Sequence, residues 1–418
     1  MFENFGAGSG PLNAGNAGNA GNAGNAGNAG NAGNAGNAGG ETVSPYTSGA
    51  LLKNRDGIVG NWQVVERAPK QHTFGDPLNT NLWSNRVRQV IFVQELLQPL
   101  EFALSAEAGD TQDLGSWATL WHRNQIVPAP LDQMQGAAGA PEQLFAMRRP
   151  GTDLFRVQME WLRRYADLRS DRAVEIMAEI DDIMTFFTSI MTTPLPRMRK
   201  TIELLYAVQS AVVAIEMRFK DAMACRRPSE YSPQVQPLIM TPGHSSLPSG
   251  HATESFAIAV VMGVLADHRQ EAQTTVATAN LGPSADHTKT QLMRQAYRIA
   301  VNRTVAGVHF PVDSAAGAYL GMVLGRYFVM RLQNASTAPA VVNWDVKNYS
   351  FNGPLYPLVA GTPGNSPDFI PSLAIQTINT GANPDNPAYE RKGNNINILG
   401  TGSTELGQLW ADALAEWS

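Results

Sequence analysis

Three short segments carry the residues whose types and spacing can do chemistry. Lys220 is followed after six residues by Arg227-Pro228; Pro248-Ser249-Gly250-His251 forms a compact turn; Arg303 is followed after five residues by His309 and after three more by Asp313. Together they supply three fixed cations, two imidazoles and a carboxylate. That is the equipment for holding a tetrahedral oxyanion and doing proton or nucleophile chemistry on it.

Each segment has its own physical logic. Ser249 stands where a helix N-cap belongs, Gly250 lets the backbone approach closely, and His251 opens a helix whose free amides and partial positive charge favour an anion. Guanidinium forks of Arg227 and Arg303 bind phosphate-like oxygens bidentately, and Lys220 adds a compact charge. Pro311 fits the first turn of a helix, so Asp313 falls within that turn and can reach back to one ring nitrogen of His309. Such a contact fixes the tautomer and presents the other nitrogen as ligand or nucleophile.

The elements that must position these residues read as helices. Val87, Val90, Ile91, Val93, Leu96 and Leu97 recur at spacings of three and four, as do the apolar residues of 154–168 and 172–190. A long amphipathic helix is predicted over 198–224, with Lys220 and Arg227 on one face about two turns apart. Further helices are predicted over 251–268, 290–305 and 311–332, and a short amphipathic one near 406–417. Strand-like alternation is scarce. The fold class read from the pattern is all-α, with long ordered loops where Pro, Gly, Asn and Ser accumulate after about Asn334.

Residues 13–39 are nine copies of Asn-Ala-Gly, a tract with almost no apolar surface to bury and no proline to stiffen a triple helix, and it reads as a flexible tether. The organisation expected is a low-complexity tail (1–40), an N-terminal helical region (41–197), a catalytic helical core (198–335) and a loop-rich C-terminal region (336–418) packing on the core.

Composition narrows the function classes. At 418 residues, 43% hydrophobic and 16% charged, the chain can bury a large core. A net charge of −5 argues against nucleic acid as a partner. One cysteine, Cys225, rules out an intrachain disulfide framework and is read as a buried thiol without chemistry. The N-terminus has no signal-peptide pattern, and the longest apolar stretch, 256–266, is short of the roughly 20 residues of a spanning helix. These features point to a soluble, cytoplasmic protein with no transmembrane segment. Asn-x-Ser/Thr triplets at Asn302, Asn334 and Asn348 are read as chance.

The three motifs, in order and at this spacing, resemble the signature of the superfamily of vanadium-dependent haloperoxidases and type 2 phosphatidic acid phosphatases (PAP2). One position departs: Asn302 stands where serine usually precedes the arginine. The resemblance covers about Lys220 to Asp313 and implies a helical bundle. It implies that Lys220, Arg227, Ser249, Gly250 and Arg303 hold the oxygens of vanadate or phosphate, with vanadate as cofactor. It further implies that His251 is acid and base, and that His309, oriented by Asp313, is the axial ligand of vanadium or the nucleophile on phosphorus. A homo-oligomer is implied by the same analogy.

Two reactions fit one pocket. The long helical region before the motifs, and His244 seven residues before His251, where bromide-using members resemble this chain, favour a haloperoxidase that oxidises bromide or iodide with hydrogen peroxide. The alternative is a soluble phosphatase hydrolysing a phosphomonoester through a phosphohistidine at His309. A noncatalytic phosphate- or vanadate-binding protein is a further alternative.

Overall fold

The computed structural model describes residues 45–61, 73–74, 76–105, 116–123, 140–191, 195–271, 287–338, 340, 342, 344–357, 366–381, 386–393, 395–396, 398 and 404–417. The Asn-Ala-Gly tract lies outside them. Among the described residues, those up to Arg88 form one compact unit and those from Gln89 onward form another. The first unit contains α1 (Pro45–Ile58) and a 3-10 turn, Pro77–Leu82, opened by Asp76, whose carboxylate accepts from the Leu78 amide at 2.9 Å.

The second unit holds all three motifs. In chain order its elements are α2 (Asn85–Leu97, from Gln89 on), β1 (Leu100–Ser105), β2 (Trp117–His122), β3 (Glu142–Arg148), α3 (Thr152–Tyr165), α4 (Arg169–Asp181) and α5 (Met184–Thr188). There follow α6 (Arg199–Met223), α7 (Pro228–Tyr231), α8 (Gly250–Glu271), α9 (His287–Val305), α10 (Pro311–Ala335), β4 (Asn348–Asn352), α11 (Pro371–Thr380), β5 (Tyr389–Lys392) and α12 (Glu405–Ala415). Helices dominate, but the all-α expectation is corrected by a five-stranded sheet of order β1-β2-β3-β4-β5. It is antiparallel throughout except for the parallel pair β3 and β4.

The sheet escapes a reading of periodicity for two reasons. Its central strand β3 buries Leu144, Phe145, Ala146 and Met147 in succession, so it shows a short apolar run instead of alternation. Its partner β4 lies in the Asn- and Pro-rich tail, with Tyr349 opposite Phe145, and pairing across so long a stretch of chain leaves no local signature.

Helices α8 and α10 form the centre and are buried on nearly every side, which is why neither carries a clear amphipathic stripe. Their close approach comes from Gly317, Gly321 and Gly325, spaced four apart on the face of α10 that meets α8. A Cβ on Gly317 would lie 2.5 Å from the carbonyl oxygen of Ser249, one on Gly325 2.7 Å from Val260 Cβ, and one on Gly321 would run into the carbonyl of Thr253. Gly317 brings α10 against the Pro-Ser-Gly-His turn, and Gly321 and Gly325 bring it against the helix that follows. No helix among the described residues is long and apolar enough to cross a membrane.

Candidate active site

Lys220 occupies the last turn of α6, which stops at Met223 when Ala224 takes a left-handed conformation (φ 48°) and donates its amide to the Lys220 carbonyl. Arg227 therefore does not share the helix face expected for it. Pro228 opens α7 and forces the residue before it into extended backbone, so Arg227 (φ −78°, ψ 155°) reaches the site from the link between two helices. There it is anchored on three carbonyls: Nε donates to His244 at 3.0 Å, Nη1 to Val308 at 2.9 Å and Nη2 to Ser245 at 3.2 Å.

The turn before α8 is tied to its surroundings through backbone. Lys220 Nζ donates to the Pro248 carbonyl, and the Ser249 amide donates to the Asp313 carbonyl at 2.9 Å. The hydroxyl of Ser249 is buried and has no hydrogen-bond partner, so it does not cap α8. A buried hydroxyl without a partner, one residue from the carbonyl that holds Lys220, is suited to donate to an acceptor-rich group.

His309 is held at both ring nitrogens. Nδ1 lies 3.2 Å from Oδ2 of Asp313, and Nε2 lies 3.0 Å from Nη1 of Arg227. A guanidinium can only donate, so Nε2 carries the lone pair and Nδ1 the proton. Asp313 is fixed in turn by the Phe310 amide at 2.9 Å and by the hydroxyl of Ser246, both donating to Oδ2. His244 also joins the group, its Nδ1 3.0 Å from Arg227 Nη2.

His251 and Arg303 meet on the other flank. His251 Nε2 is 3.1 Å from the backbone carbonyl of Glu179 and 3.5 Å from Arg303 Nη1; the nearer carbonyl makes Nε2 the protonated nitrogen. Arg303 Nη2 forms a fully buried ion pair with the Glu179 carboxylate, while its Nε has no partner.

Residues 200–337 match the family model of the PAP2 superfamily. This segment belongs to that superfamily. No curated protein matches the chain. Among solved structures the chain is similar to the crystal structure of Aquifex aeolicus LpxE, at 21% identity over 43% of this chain and 94% of that one, with a TM-score of 0.25. The match is to the superfamily as a whole, so the choice of reaction rests on the site.

Within this PAP2 core every motif residue is buried, and burial dominates the electrostatics. It pushes both imidazoles well below the usual histidine range, reinforced by the charge of Arg227 and Lys220 at His309 and of Arg303 at His251. Burial lowers Lys220 to about 8 and Arg227 to about 10, and raises Asp313 to about 6 against the pull of its Ser246 and Phe310 hydrogen bonds. Cys225 is buried with its thiol pushed up, an inert environment.

Glu179 and Ser246 are absent from the sequence reading. Glu179 had one legible signal: it falls in the buried stripe of α4 with Ile176, followed by the buried Ile183, and a carboxylate there requires a partner. Ser246 had none, because only the fold brings its loop to Asp313. Asn302, the position that departs from the family signature, hydrogen-bonds Glu175 and Glu179 on α4. Among the described residues no group of three or more His, Cys, Asp or Glu side chains is arranged to hold a metal cation.

Proposed function

We infer that the protein is a phosphatase acting on a phosphomonoester through a phosphohistidine at His309. The observation that supports this is the tautomer: a neutral imidazole whose Nε2 lone pair faces a guanidinium and whose Nδ1 proton is held by Asp313. The phosphoryl oxygens would be held by Lys220, Arg227, Arg303, the Ser249 hydroxyl and the amides at the start of α8. Nε2 then attacks phosphorus and the bond to the leaving oxygen breaks. As charge grows on that oxygen, Asp313 stabilises the ring that is losing its lone pair.

His251 would supply the proton to the departing alkoxide. Its basicity is depressed by burial first and then by the charges of Arg303, Lys220 and Arg227; a bound dianion would offset that cationic field and raise it, so the proton would arrive with the substrate. Water, deprotonated by His251, then attacks the phosphohistidine, releasing phosphate and restoring Nε2.

A haloperoxidase reading is favoured by one observation, the contact of His244 with Arg227, which puts a further imidazole beside the same oxyanion seat. The donor set fits vanadate as it fits phosphate, since Ser249 Oγ and Arg303 Nε are buried without partners. Vanadate, when bound, would supply peroxide activation for halide oxidation. The test is to assay the purified protein, with and without orthovanadate, for p-nitrophenyl phosphate hydrolysis and for bromide and iodide oxidation by peroxide. Hydrolysis inhibited by vanadate is expected; vanadate-dependent halide oxidation without hydrolysis overturns the phosphatase reading. Activity in neither assay with tight phosphate binding assigns a noncatalytic anion-binding role.

A further inference from the structure

Asn302 makes more contacts than its place beside Arg303 requires. It is fully buried, and its Nδ2 donates to Glu179 Oε1 at 2.7 Å and to Glu175 Oε1 at 2.9 Å, while its Oδ1 accepts from Arg172 Nη1 at 2.9 Å. Carboxylates on one side and a guanidinium on the other leave a single orientation for the amide. Both N–H groups are used, which a serine hydroxyl with its one hydrogen could not match.

What the amide holds is the hinge of one flank of the site. Glu179 gives its second carboxylate oxygen to Arg303 and its backbone carbonyl to His251 Nε2, so one residue fixes both a cation and an imidazole. Glu175 and Glu179 stand one turn apart on α4, and like charges at that spacing repel. Arg298 offsets Glu175 from the exposed side with contacts of 2.5 and 2.6 Å, and Asn302 bridges the two from within.

We propose that Asn302 is a positioning residue that locks the Glu179 carboxylate on Arg303 and thereby sets the guanidinium of Arg303 and the ring of His251 for the reaction. This rests on the phosphatase reading, and it carries its own consequence. The groups facing Glu179 are Arg303 and Asn302 from α9, His251 from α8 and Glu175 on its own helix. Burial raises Glu179 to about 7, while Arg303 and the Asn302 amide pull it down. Removing the amide lets it rise further, so a larger fraction of molecules loses the Arg303 pair at neutral pH.

The experiment compares the wild-type full chain with Asn302→Ser in p-nitrophenyl phosphate hydrolysis from pH 5 to 9, in calorimetric titration with inorganic phosphate, and in thermal melting. Asn302→Ser is expected to lower kcat by about 10- to 100-fold, the range for residues that orient a ligand-bearing side chain. Its acidic limb should move to higher pH. In a Glu179→Gln background the same substitution should change neither kcat nor the limb further. A lower melting temperature with kcat and limb unchanged makes Asn302 a tie between helices only and overturns the proposal.

If Asn302→Ser fails to fold, Arg172→Met, which frees only the oxygen side of the amide, is read in the same assays. A smaller shift of the limb in the same direction is expected, and no shift overturns the proposal. Phosphate binding without hydrolysis in the wild type would remove the phosphatase reading alone. The role of Asn302 is then decided by phosphate affinity, expected to weaken about 10-fold in Asn302→Ser and overturned by equal affinity.

Discussion

Arg227 stands with Nη1 3.0 Å from Nε2 of His309, so a guanidinium N–H occupies the lone pair of the nitrogen read as nucleophile. In the phosphatase reading, an oxyanion entering the site would compete for that guanidinium and free the lone pair as it binds. The nucleophile would thus be quiet until a guest of the right charge arrives, with the tautomer that Asp313 enforces already in place.

Asp313→Asn tests that enforced tautomer. Nδ1, the Ser246 hydroxyl and the Phe310 amide all converge on Oδ2; an amide oxygen in that place is neutral, so each charge-assisted contact weakens and the imidazolium-like ring loses its counter-charge. The expected outcome is a fall in kcat of about 100-fold or more with phosphate affinity little changed. Steady-state kinetics beside phosphate calorimetry check it, and wild-type kcat in the variant would remove Asp313 from the mechanism.

Arg227→Lys tests whether planarity or charge is required. The guanidinium spans three carbonyls and two imidazoles from one fork, a geometry that a point charge on a flexible stem cannot reproduce. Phosphate affinity is expected to fall about 10- to 100-fold, with stability lowered by about 1–3 kcal/mol because buried carbonyls lose donors. Calorimetry and denaturant unfolding measure the two effects separately.

The motifs were legible because their logic is local. A proline at the first turn of α10 sets the distance from His309 to Asp313, and a Pro-Ser-Gly-His run announces a helix start whatever surrounds it. The rest depended on contacts made at long range. Arg227 lies off the helix face expected for it because Pro228 holds it in extended backbone, the sheet depends on strands that pair far apart in the chain, and Glu179 lies on a helix that no spacing rule links to Arg303. The glycines of α10 were visible in the sequence, but their purpose depends on which helix they face.

Lys220 gives the site a pH dependence of definite sign. Burial lowers it to about 8, opposed by Glu216, while Arg227 lowers it further and Asp313 and Glu254 act with Glu216. Below that value the ammonium is charged and would contribute to binding an anion; as pH rises through it, the charge is lost. Phosphate affinity should therefore fall through about pH 8, and Lys220→Arg, whose charge persists, should flatten that fall. Affinity of the wild type that does not vary between pH 7 and 9.5 would contradict the assignment.

Gly321→Ala probes the packing that holds the turn. The added Cβ would collide with the carbonyl of Thr253, four residues after Ser249 on α8, and two backbones in contact cannot separate by rotating a side chain. Either α10 withdraws from α8 or the collision remains, at a cost of about 1–3 kcal/mol. Withdrawal would also loosen the bond from the Ser249 amide to the Asp313 carbonyl, which joins the anion seat to the helix bearing the His309 partner. A lowered melting temperature accompanied by weaker phosphate binding is expected. An unchanged melting temperature would show that the two helices have room to spare and that the glycines do not set the geometry of the site.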